Sequence, residues 1–213
     1  MSGTRLPFGL TDEALDAAMS EEDPESLAAA TRMRARFGPE LAAAALTQAT
    51  LRQQARAKFG EAAAEMFFTR AGLEQATRPE VADHHASRFL EAGVRRVIDL
   101  GCGIGSDSMA FVRAGLEVVA VDVDSVTAAV AQANLAGRAV VLHTDASDVV
   151  GQLMTPGAGV FCDPARRDDH GRERPLLDHP RTPEARRRDG GGPRAGSRAA
   201  PRRQGAVGPQ QLP

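Results

Sequence analysis

An α/β fold built on a parallel sheet is what this 213-residue chain predicts, and three observations carry the prediction. Between Val94 and Arg166 short apolar runs alternate with helical stretches, the signature of strand–helix–strand units. The first run, Val97-Ile98-Asp99-Leu100, passes into Gly101-Cys102-Gly103-Ile104-Gly105, a turn with glycine at every second position. The second, Val118-Val119-Ala120-Val121, ends in Asp122, 21 residues after Gly101. A strand, a glycine turn and a helix let backbone approach a ligand closely, and an acid at the tip of the next strand can accept both hydroxyls of a ribose. The pattern spells a nucleoside-binding crevice.

The elements follow in order. As far as Gly93 the chain is helical and alanine-rich. Thr11 can cap a helix whose first turn carries Asp12 and Glu13, and Pro39 suits the first turn of a helix running to Gly60. A further helix is expected from Pro79 to Gly93, with Val81, Ala82, Ala86, Phe89 and Leu90 on one face. Alanine buries little area per residue, so these helices are expected to pack on the domain that follows and not to fold alone. Strands are expected near 95–100, 116–122, 139–143 and 159–163. Ser106 can cap a helix ending at Gly115, and Ser125 one ending at Gly137 whose apolar face is Val126, Ala129, Val130 and Ala133. Right-handed crossovers place the first three strands in the order 3-2-1, with the fourth on the far side of the first, which creates the switch point where ligands bind.

Composition bounds the remainder. No apolar run approaches the roughly 18 residues needed to span a bilayer, and the start Met1-Ser2-Gly3-Thr4-Arg5 leads into acidic sequence, so the chain reads as cytoplasmic. Two cysteines, Cys102 and Cys162, offer neither a disulfide framework nor a zinc spacing and are expected to be small buried hydrophobes. Residues 1–164 carry 14 basic and 22 acidic side chains, whereas 165–213 carry 12 and 6, so the basic charge is concentrated in the tail. Lys58 is the only lysine; arginine and alanine dominate as a GC-rich genome would make them.

Residues 170–213 hold seven of the thirteen prolines and seven glycines, with no apolar periodicity beyond Leu176-Leu177, and are expected to be disordered. Three regions follow: a helical N-terminal extension over 1–93, a core over 94–167, and an Arg/Pro/Gly-rich tail over 168–213 that reads like DNA translated out of frame. With no later strands, Val160 and Phe161 would form an exposed apolar edge.

A nicotinamide or flavin dinucleotide would want glycine or alanine five residues after Gly101, where this chain has Ser106. The Gly101-x-Gly103-x-Gly105 spacing, with Asp99 two residues before it, instead resembles the first motif of the class I S-adenosylmethionine-dependent methyltransferases. The resemblance implies a Rossmann-like sheet, here partial with about four parallel strands. It implies that Asp99 contacts the methionine part of the cofactor, that Gly101, Gly103 and Gly105 let it lie against the backbone, and that Asp122 binds the ribose. Asp145, in Leu142-His143-Thr144-Asp145, matches the position that bonds the adenine amino group. Val160-Phe161-Cys162-Asp163-Pro164-Ala165-Arg166 looks like the fourth motif, in which Asp163 and Pro164 would face the acceptor beside the transferred methyl. The Asp-Pro-Ala-Arg wording departs from the Asn/Asp-Pro-Pro-Tyr of amino methylation and is closer to the RNA uracil-C5 enzymes, yet no cysteine follows here to act as their nucleophile.

The stretch Phe67-Phe68-Thr69-Arg70-x-Gly72-Leu73-Glu74-Gln75-Ala76-Thr77-Arg78 is similar to the segment preceding the first motif in the trimethylguanosine-synthase-like group. It is closer still to a bacterial branch that carries a THUMP-like region at its C-terminus. That resemblance implies that Thr69, Gln75, Thr77 and Arg78 line a lid over cofactor or acceptor; a polar linker between helices is the plain alternative. The implied activity is methyl transfer to a base nitrogen of RNA, with S-adenosylmethionine as cofactor, no metal and no membrane partner, and weak turnover by this chain as written. A non-catalytic remnant or cofactor-binding module is the second reading; NAD-dependent oxidoreduction is disfavoured by Ser106 and by Asp163-Pro164. Arg32, Arg34, Arg36, Arg52, Arg56 and Lys58 could face RNA, although a solvated helix face is the simpler expectation. His84 and His85 are adjacent on a helix and point apart, so they cannot chelate together.

Overall fold

Residues 6–163 are described by the structure, a computed structural model, and all lie within the unit Met1–Arg174. The expected disorder of the tail and the role of Pro164 fall outside them.

Four strands, β1 (Arg96–Leu100), β2 (Glu117–Asp122), β3 (Val140–His143) and β4 (Ala158–Cys162), form one parallel sheet in the order β3-β2-β1-β4. The β-branched runs of the central strands β1 and β2 sit where a parallel sheet is covered on both faces, which is why Val97-Ile98 and Val118-Val119-Ala120-Val121 read as apolar sequence. Val97, Ile98, Ala120 and Val121 are fully buried. Ile98 is in register with Val119 on one side and Val160 on the other. The chain reverses direction of travel across the sheet between β1 and β4, and the crevice at a switch point opens at the carboxyl ends of those strands.

Before the sheet come α1 (Asp12–Met19), α2 (Leu27–Phe37), α3 (Pro39–Phe59), α4 (Arg70–Gln75) and α5 (Pro79–Glu91). Thr11 caps α1 by accepting from the Ala14 amide at 3.2 Å, as its position predicts. Pro39 opens α3, where a missing N–H costs nothing. These helices bury Leu15, Met33, Leu51, Phe59 and Phe68 in one cluster that also takes in Ile104 and Val130, so the N-terminal helices and the glycine turn share a core. Deleting a side chain such as Phe68 from it would cost on the order of 3–5 kcal/mol.

Three helices follow strands: α6 (Ser106–Arg113), α7 (Ser125–Leu135) and α8 (Ala146–Leu153). Phe89 of α5, Phe111 of α6 and Phe161 of β4 stack edge to face, Phe111 and Phe161 at 5.3 Å between centroids. Phe161 is therefore half-buried, which corrects the expectation that it lies open on the edge; Val160 is 39% exposed. Gly159 is required by this packing, since a Cβ there would sit 2.6 Å from Phe89 Cε1.

Several local expectations are corrected. The N-cap of α6 is Gly105, with φ +85°, and Ser106 lies inside the helix with its hydroxyl donating to the Thr77 carbonyl at 2.7 Å. The cap of α7 is Asp124, whose carboxylate accepts from the Thr127 amide at 2.7 Å, not Ser125. An acid one residue earlier wins because it reaches the same amides while complementing the helix dipole. On α7 the buried stripe is Ala128, Val130, Ala131, Asn134 and Leu135, with Val126 and Ala129 exposed. On α5 it is Ala82 and Ala86 with Phe89 half-buried, while Val81 and Leu90 face outward. Both stripes rotate toward the face where small residues let the helix sit against its neighbours. Cys102 is buried as expected, but Cys162 is exposed. Among the described residues no helix is long and apolar enough to cross a membrane, and no group of three or more His, Cys, Asp or Glu could hold a metal.

Candidate functional site

The carboxyl ends of the four strands each deliver an acid. Asp99 ends the buried part of β1, Asp122 ends β2, Asp145 follows β3 within two residues, and Asp163 follows β4 directly. The glycine turn lies between the first two. Gly101 and Gly103 adopt φ +77° and +57°, conformations that side chains resist. The Gly101 and Cys102 amides donate to the Val121 carbonyl at 2.8 and 3.0 Å, which lashes the turn to the tip of β2. The Gly103 amide then donates to Asp122 Oδ2 at 2.9 Å, and Oδ1 accepts from the Asp124 amide at 2.9 Å.

A Cβ added at Gly101 or Gly103 would meet no protein atom within 4 Å. Packing inside the chain does not demand glycine there; the backbone conformation does. At Gly105 a Cβ would lie 3.6 Å from Ala131 on α7, an ordinary van der Waals contact, so there too it is the positive φ, +85°, that favours glycine. Such a turn, with bare backbone and a carboxylate beside it, has the chemistry to accept hydroxyl donors.

Asp99 is only 2% exposed and accepts from Ser108 Oγ at 2.6 Å. Burial pushes its carboxyl up to about 7; the Ser108 bond opposes that, and the neighbouring charges of Asp107, Asp122 and Asp163 add to it. Burial also raises the Cys102 thiol strongly, reinforced by Asp99 and Asp122, so it is no nucleophile. Asp145 caps α8, with Oδ1 accepting from the Ser147 amide at 2.8 Å and its hydroxyl at 2.7 Å. It is exposed, and the amide of Thr144 before it donates to the Asp122 carbonyl at 3.0 Å. Asp163 is exposed, and Pro164 lies beyond the described residues.

The segment before β1 borders the turn. A Cβ on Gly72 would fall 2.3 Å from Ile104 Cγ2, so α4 seats directly on the turn's apolar residue. Thr69 caps α4 by accepting from the Gly72 amide at 2.9 Å, and the Thr77 carbonyl is held by Ser106. The Thr69 side chain thus has a local structural role, Thr77 is half-buried, and Gln75 and Arg78 are exposed.

Other side chains form connections that the sequence did not signal. Gln48 bonds both backbone groups of Phe68, donating to its carbonyl at 2.7 Å and accepting from its amide at 3.0 Å. Arg52 is buried, and its Nε donates to the Met66 carbonyl at 2.8 Å; burial lowers its pKa. Lys58 donates to the carbonyls of Leu73, Glu74 and Ala76, closing the end of α4. Arg52 and Lys58 are therefore internal ties, neither an RNA-facing patch nor a solvated face. Arg32 and Arg36 pair on the surface with Glu21 and Glu13. His85 Nδ1 lies 2.8 Å from Asp107 Oδ1, with its ring 5.0 Å from that of Phe161. Asn134 stands alone as a polar residue on the apolar stripe of α7, the one signal by which sequence could have flagged it.

Residues 67–174 match the family model described as methyltransferase small domain, half of the chain, and the chain belongs to that family of methyltransferases. Residues 12–55 match a domain of unknown function, DUF8688. Among solved structures the fold is similar to a presumed methyltransferase from Porphyromonas gingivalis, with TM-score 0.57 and 24% identity over 73% of this chain. The chain spans 41% of that structure's length. Weaker likenesses are to cofactor-bound Rv0187 from MTB (TM-score 0.41, 19% identity, 68% of this chain and 62% of that one). A presumed RNA methyltransferase from Pyrococcus horikoshii gives TM-score 0.40 and 23% identity over 58% of this chain and 62% of its own. No curated protein matches the chain in sequence.

Proposed function

We propose that the crevice binds S-adenosylmethionine and that the chain is a methyltransferase domain acting on a base nitrogen of RNA. The observation that carries the cofactor reading is the Gly103–Asp122 bond, which sets a carboxylate at the rim of an open backbone cradle. In this reading Gly101 and Gly103 give the cofactor a backbone floor and Asp122 accepts the ribose hydroxyls. Asp145 receives the adenine amino group, and Asp99 serves the methionine part of the cofactor through water. In this reading residues 94–167 are the catalytic core, 1–93 a helical extension and 168–213 an Arg/Pro/Gly-rich tail. The trimethylguanosine-synthase-like or THUMP-like branch, and RNA as acceptor, rest on the resemblance of residues 67–78 alone.

The sulfonium of the cofactor supplies an activated methyl and an excellent leaving group, so the protein's task is positioning for in-line displacement. Asp163, with the carbonyl of Pro164, would accept hydrogens of the acceptor amine and turn its lone pair toward the methyl. Thr69, Gln75, Thr77 and Arg78 would border the acceptor side. Calorimetric titration with S-adenosylhomocysteine, beside Asp122→Ala, tests the proposal: binding lost on substitution supports it, and no binding by folded protein defeats it. Binding without transfer to any RNA would favour the second reading, a cofactor-binding module acting through its helical region.

A further inference from the structure

The glycine turn is held by a residue that belongs to none of the motifs. Asn134, on the last turn of α7, is 7% exposed and commits its whole amide to backbone. Its Oδ1 accepts from the Phe67 amide at 2.7 Å, and its Nδ2 donates to the carbonyls of Phe67 at 3.0 Å and Ile104 at 2.9 Å. Ile104 lies between Gly103, whose amide holds Asp122, and Gly105, whose amide donates to the Cys102 carbonyl at 2.9 Å.

Two glycines flanking one residue cannot define a turn by their own sterics, because glycine accepts many backbone conformations. Something outside must choose one. The Asn134 bond fixes the carbonyl of Ile104, and the Gly72 notch seats its side chain, so both ends of the residue between the glycines are anchored. The same amide reaches Phe67, and Gln48 holds Phe68 from α3, which links the turn through two side-chain amides to the N-terminal helices.

We infer that Asn134 is a positioning residue of the cofactor site: it sets the glycine turn, and through Gly103 the Asp122 carboxylate, in the ligand-accepting geometry. The affinity part of this rests on the reading of the crevice as an S-adenosylmethionine site. Gln48 provides a matched control. It is 2% exposed and makes the same paired bonds to the next residue, yet none to the turn.

The test compares Asn134→Ala and Gln48→Ala in the full chain by thermal midpoint, by hydrogen exchange of the Gly103 and Gly105 amides without ligand, and by titration with S-adenosylhomocysteine. Both variants should lower the midpoint. Only Asn134→Ala should speed exchange at the turn and weaken the titrated affinity, each by about tenfold or more, the range expected for losing a buried hydrogen bond. Gln48→Ala should stay within about twofold in both. Equal effects of the two variants would overturn the positioning role. If Asn134→Ala does not fold, Asn134→Asp keeps the acceptor for Phe67, loses both donors, and gives the same comparison. Wild-type protein that ignores S-adenosylhomocysteine would overturn the cofactor role, and the exchange result would then decide the clamp on the turn by itself.

Discussion

Gly72 and Ile104 fit as notch and knob: a Cβ on the glycine would lie 2.3 Å from Cγ2 of the isoleucine. Ile104 is 2% exposed and cannot swing aside, and Thr69 Oγ1 closes the other side at 2.7 Å. Glycine inside a helix normally costs up to about 1 kcal/mol relative to alanine, so Gly72→Ala would stabilise an isolated α4. In the folded protein the overlap should win, lowering stability by about 1–3 kcal/mol. Denaturant unfolding checks the sign, and Ile104→Ala in the same chain should remove part of the cost of the glycine substitution, the overlap with Thr69 Oγ1 remaining.

Gly159 faces a comparable overlap with Phe89 at 2.6 Å, but on β4. Gly159→Ala should destabilise by about 1–3 kcal/mol, and pairing it with Phe89→Leu should recover part of the loss. Full additivity of the two substitutions would show that the contact is not what excludes a side chain.

Asp99 makes stability depend on pH. Its carboxyl, ordinarily near 3.8, is pushed up to about 7 when folded. Below about pH 4 both states are protonated and there is no penalty. Between about 4 and 7 the unfolded chain releases the proton while the folded one keeps it, so stability falls as pH rises and the loss is complete above about 7. At face value the shift corresponds to roughly 4 kcal/mol. Asp99→Asn should remove that slope, and urea melts of the two proteins at pH 4.5 and 7.5 measure the difference.

Asp122 ties the turn and rims the crevice together. Asp122→Ala should weaken S-adenosylhomocysteine by about 10- to 100-fold, the range for losing bonds to a charged acceptor. Asp122→Asn, which keeps one acceptor oxygen, should fall between alanine and wild type. Calorimetry reads all three, and an alanine variant with wild-type affinity would move the site elsewhere.

The cap of α7 distinguishes two adjacent residues. Asp124→Ala should cost about 1 kcal/mol, whereas Ser125→Ala should stay within about 0.5 kcal/mol. The Asp124 carboxyl sits below its ordinary range because it accepts from the Thr127 amide, so acid should diminish the difference. Chemical denaturation of the pair at neutral pH and again near pH 2 settles both points.

What the sequence determined by itself was the sheet and the acids and glycines at its edge. Period, glycine spacing and terminal acids are local properties, and crossover handedness converts four apolar runs into the order β3-β2-β1-β4 without any long-range contact being known. The strand-end positions of Asp99, Gly101, Gly103, Asp122 and Asp145 were legible for the same reason: each sits at a fixed offset from a strand. Tertiary structure decided which identical-looking residues turn inward. Arg52 and Lys58 resemble surface cations in a helical pattern, but backbone carbonyls left unpaired by the extended Met66–Phe68 run and by the end of α4 draw them inside. Asn134 and Gln48 are ordinary amides until two residues lacking a strand partner, 67 and 20 positions away, need a donor and an acceptor each. Buried backbone must find hydrogen bonds, and which side chain supplies them depends on distances in space that no spacing along the chain records.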